Sequence, residues 1–299
     1  MIQKTKIVLD TDIGTDIDDA VALAYLLMQE HCDLQGITTV SGEAPKRAMI
    51  ADAICRIAGQ SRIPIHSGCT LPLGGVPQRQ KRASHAAKLF KYKHNTNFPE
   101  ETAVDFLNKI IEQNPGEIIL LTIGPLTNVA TLFQKYPGIS SKLKAHYMMC
   151  GAFYGNSHEN EWNILCDPYA AKTVFANPAP LTRVFGLNVT RKVTMKADTV
   201  RRRFQSDILL PVLDFAEIFF KEQRDFITFH DPLAAASIFD NNICEFEKGN
   251  VKVNTEQGER FGATYWEAAE SSKIEIAVKV NKDKFFNEFF SKTEMCLQN

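Results

Sequence analysis

Strand-like and helix-like segments alternate along most of this 299-residue chain, and that alternation restricts its fold more than any other feature. Short apolar or β-branched runs predict strands at residues 6–9, 36–40, 63–65, 117–123, 147–150 and 183–187. Helical patterns occupy residues 18–29, 45–58 and 99–113, and two more begin at Thr127 and Asp167. This order predicts an α/β fold with a mostly parallel central sheet and helices on both faces.

The last third of the sequence departs from this regular alternation. Residues 198–229 are predicted to be mostly helical, a short helix follows Asp231, and residues 250–280 are β-rich before a final helix. Residues 69–98 form a long polar connection, which is typical of a functional lid or of disorder. Because no linker composition or internal repeat divides the chain, we predict a single domain over residues 1–299 with a small β-rich C-terminal portion.

Composition excludes several classes of protein. The formal net charge is −1, so no general basic surface attracts nucleic acid, and the arginines at 201–203 are expected to lie on a solvated helix face. The seven cysteines form no CxxC pair, which favours reduced thiols in the cytoplasm over disulfides or a zinc site. No signal-peptide core precedes the first strand, and the apolar run at 20–28 is far shorter than the ~20 residues of a membrane span. We therefore expect a cytoplasmic protein that binds neither nucleic acid nor a membrane.

The most informative segment for function is residues 10–19, which carry five aspartates and no lysine or arginine. A predicted strand leads into it, a predicted helix leaves it, and Gly14 allows a tight turn between them. Aspartates also cap helices, and Asp10 and Asp16 are the candidates for that role. Converging carboxylates would repel one another by about 4 kcal/mol per pair at about 4 Å and an effective dielectric of about 20. An oxygen ligand set binds hard ions, so the segment predicts a calcium or magnesium site.

Two other interpretations of this segment can be compared with that site. An EF-hand loop counted from Asp10 would need a bidentate glutamate at its twelfth position, which is Val21, so that interpretation fails. Asp10 and Asp12 after an apolar strand also resemble the first motif of haloacid-dehalogenase-type phosphatases, with Asp10 as nucleophile and Asp12 as acid/base. That hypothesis leaves Asp18 and Asp19 unexplained, and it is kept as an alternative function.

Three later segments carry groups suited to a cation, a sugar or a base. The strand ending at Ile123 is followed by Gly-Pro, which can leave its carbonyl free to bind a cation. His230 and Asp231 place a candidate general acid beside a candidate metal ligand. Residues 155–168 supply amides, a carboxylate and an indole that could grip a sugar and a base, at Asn156, Glu161, Trp162 and Asn163.

Together these segments resemble the inosine-uridine-preferring nucleoside hydrolase family. The matching elements are the aspartate-rich segment 10–20, the GPLTN segment 124–128, the GN…EWN…DP segment 155–168 and the His-Asp pair at His230. The resemblance implies a Rossmann-like fold and metal-dependent hydrolysis of the N-glycosidic bond of ribonucleosides, giving ribose and a free base in purine or pyrimidine salvage. It also implies calcium as the ion, in preference to magnesium, and a homodimer or homotetramer.

The resemblance also implies a role for individual residues. Asp12 would accept a proton from the attacking water, and His230 would help to protonate the leaving base. Calcium would be held by three carboxylates and one backbone oxygen, namely Asp12, Asp19, Asp231 and the carbonyl of Ile123. The substrate would be held by Asp18 or Asp16 at the 2′-hydroxyl, by Asn156, Glu161 and Asn163 along the ribose, and by Trp162 beside the sugar or base.

The sequence departs from the common family pattern at three places. Ile13 replaces a proline and two residues are inserted before the Asp-Asp pair, so Asp16 and Asp18 are both candidates for the ribose contact. Glu43 stands where the family usually has asparagine, and His85 is the nearest match to a histidine in the loop after the third strand. Both are kept as substrate-binding candidates, the base preference stays open, and a nucleoside-binding or ribose-binding protein without activity is a further alternative.

Overall fold

A nine-stranded sheet forms the centre of the molecule, and a separate pair of short strands lies outside it. The computed structural model describes residues 4–99, 102–153, 160–221 and 225–294. In chain order its strands are β1 (Thr5–Thr11), β2 (Cys32–Thr39), β3 (Ile65–Ser67), β4 (Ile119–Thr122), β5 (Ala145–Met149), β6 (Thr182–Phe185), β7 (Thr194–Lys196), β8 (Phe226–Thr228), β9 (Cys244–Val253), β10 (Thr264–Ala268) and β11 (Ile274–Val280). The large sheet has the order β10-β9-β11-β6-β5-β4-β1-β2-β3, and β7 pairs with β8.

Most neighbouring strands of the large sheet run parallel. Every pairing from β11 through β6, β5, β4, β1 and β2 to β3 is parallel. β9 and β10 add antiparallel pairings at one edge. The predicted α/β fold with a mostly parallel sheet is therefore confirmed, and the predicted β-rich C-terminal portion is this mixed edge.

Helices cover both faces of the sheet. They are α1 (Asp18–Met28), α2 (Ala44–Ile57), α3 (Ala103–Gln113), α4 (Thr127–Lys135), α5 (Trp162–Cys166), α6 (Pro168–Ala176), α7 (Leu187–Thr190), α8 (Ala197–Arg203), α9 (Leu209–Lys221), α10 (His230–Ala236) and α11 (Lys282–Thr293). Ile7 and Leu9 of β1 pack in one core cluster with α1, α9, α10 and α11, whereas Val8 packs in a second with α3, α4 and α6. Burial on both faces explains why the central strands are continuous apolar runs rather than alternating ones.

Several predicted boundaries were wrong for identifiable reasons. β2 begins at Cys32 rather than at residue 36, because its first half alternates buried and partly exposed residues and looks polar in sequence. The span 198–229, predicted as mostly helical, ends in β8, which pairs antiparallel with β7. The predicted strand at 63–65 starts only at Ile65, and β9 starts at Cys244, before the predicted β-rich span. Within the long connection, Ser84–Lys91 forms a 3₁₀ helix.

The single-domain prediction for residues 1–299 stays a prediction. It is supported by one sheet that contains both β1, near the start of the chain, and β11, near its end. No helix among the described residues is both long enough and apolar enough to cross a membrane.

Candidate active site at the carboxyl ends of the strands

A cavity of about 420 Å³ opens beyond the carboxyl ends of the central strands. Asp12 follows β1 directly, Ile123 follows β4, and Met149 ends β5; all three line the cavity. Ligands of parallel α/β sheets bind at this end of the strands. The cavity gathers most of the residues proposed from sequence, namely Asp12, Asp16, Asp18, Asp19, Ile123, Glu161, Trp162, Asn163, His230 and Asp231.

Three of these carboxylates form a compact buried cluster. Asp18 and Asp19 open α1 and Asp231 lies in the first turn of α10, so two helix N-termini converge on the same point. One oxygen from each residue lies within 4.8 Å of the other two. The backbone N–H of Asp231 donates to Asp18 at 3.3 Å, and the hydroxyl of Thr11 donates to Asp19. The structure thus groups Asp18, rather than Asp12, with Asp19 and Asp231.

Electrostatics show that this cluster suits a cation. Burial, together with repulsion from the neighbouring aspartates, raises the pKa values of Asp18, Asp19 and Asp231 well above the usual range. Each side chain is almost fully buried, so water cannot screen that repulsion. Oxygen donors without nitrogen or sulfur are the set that a hard divalent ion prefers, and the donors present therefore fit such an ion.

Asp12 lies in the same cavity, and two neighbouring side chains donate hydrogen bonds to it. Its Oδ2 accepts a hydrogen bond from Nε2 of Gln80, and its main-chain oxygen accepts one from the fully buried Arg47. Burial raises the pKa of Asp12 to about 6, and the charge of Arg47 opposes this rise. At neutral pH Asp12 is therefore mostly ionised but close to its pKa, which is suitable for a general base.

The opposite wall is built around the start of α5. Glu161 caps this helix by accepting from the backbone N–H of Asn163 at 2.8 Å and of Ile164 at 3.0 Å, and burial raises the pKa of its carboxyl to about 7. Asn163 donates through Nδ2 to the carbonyl of Ile123 at 3.0 Å. That carbonyl keeps a second lone pair, which a cation can use. Trp162 is 49% exposed, so it offers an open aromatic face to the cavity.

His230 occupies the cavity next to the carboxylate cluster. Its Nδ1 lies 2.7 Å from Oγ1 of Thr190, which fixes the ring. Burial, with a smaller contribution from the charge of Arg191, lowers the pKa of His230 to about 4. The imidazole is therefore neutral at physiological pH, and one of its two ring nitrogens carries a hydrogen.

Two sequence candidates lie away from the cavity. Glu43 directly precedes α2, and its carboxylate accepts a hydrogen bond from the ammonium group of Lys46. It also accepts one from the backbone N–H of Ala83, in the long connection, at 3.0 Å. His85 is fully buried and stacked on Phe215, neither of its ring nitrogens has a hydrogen-bond partner among the residues that the structure describes, and burial lowers its pKa to about 3. Neither residue lines the cavity, so the structure does not bring these two substrate-binding candidates together with the others. Asn156 lies outside the described residues.

Asp10 cannot act as the nucleophile that the phosphatase alternative requires. Its side chain is fully buried within β1, where Oδ2 accepts hydrogen bonds from Asn128 and Thr38. Burial raises its pKa to about 7. A carboxylate enclosed in this way cannot attack a phosphate, so the phosphatase alternative is wrong. Asp10 does not cap a helix either, whereas Asp16 accepts from the backbone N–H of Ile17 just before α1.

Sequence reasoning missed Gln80 and Arg47. Gln80 lies in a polar connection without periodicity, so nothing in the sequence marked it. Arg47 did leave a signal, because it falls three residues after Ala44 and one turn before Ala51, on the apolar face of α2. A basic residue on such a face requires buried acceptors.

Close approach of the backbone at Gly124 leads to a prediction. A Cβ there would lie 2.7 Å from Oδ1 of Asp12 and 2.8 Å from its backbone nitrogen. We expect Gly124→Ala to displace Asp12, lowering kcat by about 10²-fold and stability by about 1–3 kcal/mol. Steady-state kinetics and urea unfolding of the purified variant would check both. An active variant of unchanged stability would contradict this view of the contact.

Comparisons with known proteins agree with the fold. The chain matches a family described as inosine-uridine preferring nucleoside hydrolase over residues 7–287. An inosine-uridine preferring nucleoside hydrolase of Leishmania major is 30% identical over 306 residues, covering 94% of this chain and 95% of that protein. A probable uridine nucleosidase 2 of Oryza sativa subsp. japonica is 32% identical over 275 residues, covering 84% of this chain and 79% of the relative. A solved purine-preferring ribonucleoside hydrolase from Gardnerella vaginalis has the same fold, with a TM-score of 0.84 at 23% identity and coverage of 97% and 98%.

Proposed function

Because this chain belongs to the inosine-uridine preferring nucleoside hydrolase family, whose members are metal-dependent hydrolases of ribonucleosides, we propose that it cleaves their N-glycosidic bond at the cavity described above, with calcium as its ion. The observation that carries the assignment is the meeting of Asp12, the buried Asp18–Asp19–Asp231 cluster and His230 in one cavity. The products are ribose and a free base.

The carboxylate cluster defines where the ion is held. Asp18, Asp19 and Asp231 would hold it, with the Ile123 carbonyl and Asp12 bordering the same cavity. When bound, a divalent ion orients a water, lowers its pKa and binds vicinal hydroxyls. Calcium fits better than magnesium because carboxylates and a carbonyl on separate elements give the irregular oxygen shell that calcium tolerates.

Asp12 would serve as the general base. Its pKa of about 6 leaves it ionised at neutral pH, so it can accept a proton from the attacking water. Its orientation is set from both ends, because Arg47 holds the main-chain oxygen and Gln80 holds the carboxylate. The sugar at that moment has oxocarbenium character, which a nearby negative charge stabilises.

The remaining cavity residues would bind the ribose and assist departure of the base. Glu161 and Asn163 present a carboxylate and an amide for the ribose, and Trp162 offers an apolar face beside it. Asp16 is the second candidate for a hydroxyl contact, because it lines the cavity while Asp18 belongs to the cluster. His230 is neutral, so it would assist the leaving base by donating a hydrogen bond or a proton from a ring N–H.

A panel of nucleosides tests the proposal directly. We expect inosine, uridine or a related ribonucleoside to yield reducing sugar and free base, in a reaction abolished by a strong chelator and restored by Ca²⁺. The matching 2′-deoxynucleoside should react at least about 10²-fold more slowly, since one hydroxyl that binds the ion and orients the sugar is missing. Equal rates on the two sugars would contradict the hydroxyl contact. Binding without release of base would favour the inactive binding protein.

We also propose a cytoplasmic homodimer or homotetramer. The cytoplasmic assignment is supported by buried cysteines without disulfides, such as Cys55, Cys150 and Cys166. The oligomeric state follows from the family resemblance, and light scattering of the purified enzyme would measure it.

A further inference from the structure

Gln80 reaches the cavity from the long connection between β3 and α3, where its side chain is buried. Its Nε2 donates to Oδ2 of Asp12, and its Oε1 accepts from Nε1 of Trp162 at 2.6 Å. The indole N–H can only donate and an ionised carboxylate can only accept, so these two partners define which end of the amide is which. A single side chain thus joins the proposed general base to the aromatic wall of the cavity.

The segment that carries Gln80 is tied to the turn that carries Asp12. Arg47 donates to the backbone oxygens of Gln80 and Arg82 while also holding the main-chain oxygen of Asp12. The hydroxyl of Thr15 donates to the oxygen of Arg82 at 2.9 Å. These contacts tie the backbone of the connection to the turn, and the bonds of the Gln80 amide to Asp12 and Trp162 hold its side chain in one orientation.

The local charges explain why an amide is needed here. An ionised carboxylate such as that of Glu43 can only accept, so it cannot donate a hydrogen bond to Asp12. The structure turns Glu43 toward Lys46 and the N–H of Ala83 instead. Gln80 brings an amide donor to the Asp12 carboxylate from a different segment of the chain.

We propose that Gln80 is a positioning residue, which holds the carboxylate of Asp12 in one orientation for proton transfer and links that orientation to Trp162. The inference rests on the proposed function only in that Asp12 acts as the general base. Gln80 acts through Asp12, so its loss should reduce turnover rather than binding of the nucleoside.

The first test separates kcat from KM. Gln80→Met keeps the length of the side chain but removes both polar groups, and we expect kcat to fall by about 10- to 100-fold, with KM changed by less than about 3-fold. Gln134→Met is the matched control, because it makes the same substitution at an exposed glutamine of α4 that bonds to Thr173 and does not line the cavity. The control should keep its kcat. Equal losses in both variants, or a loss confined to KM, would overturn the proposal.

A double-mutant cycle tests the route of action. In an Asp12→Asn background, Gln80→Met should reduce kcat no further, because the oriented group is already gone. Multiplicative losses would mean that Gln80 acts on the substrate directly, and the positioning role would be wrong.

Fluorescence gives a readout that does not depend on turnover. In a Trp266→Phe background, the emission of Trp162 should shift in Gln80→Met and stay unchanged in Gln134→Met. If the unmodified protein released no base from any nucleoside, the proposed function would fail while this shift would still establish the Gln80–Trp162 link. An unchanged emission would refute the link itself.

Discussion

Replacing Asp12 by asparagine should lower kcat for a reactive ribonucleoside by about 10³-fold or more, since general-base catalysis alone contributes about 10²- to 10⁴-fold. Asparagine has nearly the same shape, but it cannot accept a proton from the attacking water. The backbone contact with Arg47 should survive, so the variant is expected to fold. Steady-state kinetics with circular dichroism would measure both properties.

The control for this experiment is another buried aspartate. Asp52 is buried, accepts from Arg56 and lies outside the cavity, so Asp52→Asn removes the same kind of charge at a distance from the chemistry. It should keep a kcat near that of the unmodified enzyme. If Asp12→Asn kept near-normal turnover, another residue would have to be the base, and Glu161 would be the next candidate because it is a buried cavity carboxylate.

After removal of divalent cations, the folded protein should lose stability as the pH rises from about 6.5 to about 8. The pKa values of Asp18, Asp19 and Asp231 are raised well above those of an unfolded chain, and that of Glu161 is raised to about 7. A group raised in this way contributes stability below its unfolded pKa and loses it as the pH passes its folded pKa. Each carboxyl that keeps its proton in the folded protein while its unfolded counterpart is ionised should lower the stability by about 1.4 kcal/mol per pH unit.

Buried histidines set the lower limit of that range. The pKa of His230 is lowered to about 4 and those of His85 and His146 to about 3, so all three oppose folding as the pH falls. An unfolded histidine is still about half protonated at about pH 6.5 and largely neutral above about pH 7.5, so the carboxylates determine the slope in the upper part of the range. Thermal unfolding in a chelator should therefore show a Tm that falls by about 5 °C or more across the range.

A variant of the cluster tests the cause of that slope. Asp19→Asn removes one of the mutually repelling charges, so it should raise the Tm of the metal-free protein at the upper pH and weaken stabilisation by Ca²⁺. Asp105→Asn, which alters an exposed aspartate paired with Lys135, should change neither. If the Tm of the metal-free protein stayed level or rose with pH, the three carboxylates would not destabilise the folded protein as expected.

The sequence predicted the fold and most of the site because both depend on local patterns. Alternating apolar and helical segments predict a parallel sheet, and the carboxyl ends of parallel strands meet at one edge. That geometry places Asp12 after β1 close to Ile123 after β4, although more than a hundred residues separate them. The convergence of Asp19 and Asp231 was available only from the family resemblance, since no local pattern relates α1 to α10.

Sequence reasoning did not indicate the placement of side chains that are positioned by contacts with distant parts of the chain. His85 looked available in a polar connection, but Phe215 of α9 stacks on its ring and removes it from solvent. Gln80 belongs to the same connection and turns the opposite way, into the cavity. The structure groups Asp18 with Asp19 and Asp231, which the sequence did not indicate because the direction of a side chain after a turn depends on backbone angles that residue types do not specify.

The two sides of the carboxylate cluster are 213 positions apart in the chain, since Asp18 opens α1 and Asp231 opens α10. An ion bound by Asp18, Asp19 and Asp231 would link two segments of the chain that are separated by a very long loop. During synthesis the cluster cannot form until nearly four-fifths of the polypeptide has emerged, so a chain that ends before Asp231 would have no complete cluster. Catalytic competence in such an arrangement would therefore require that the chain has been made and folded at least as far as α10.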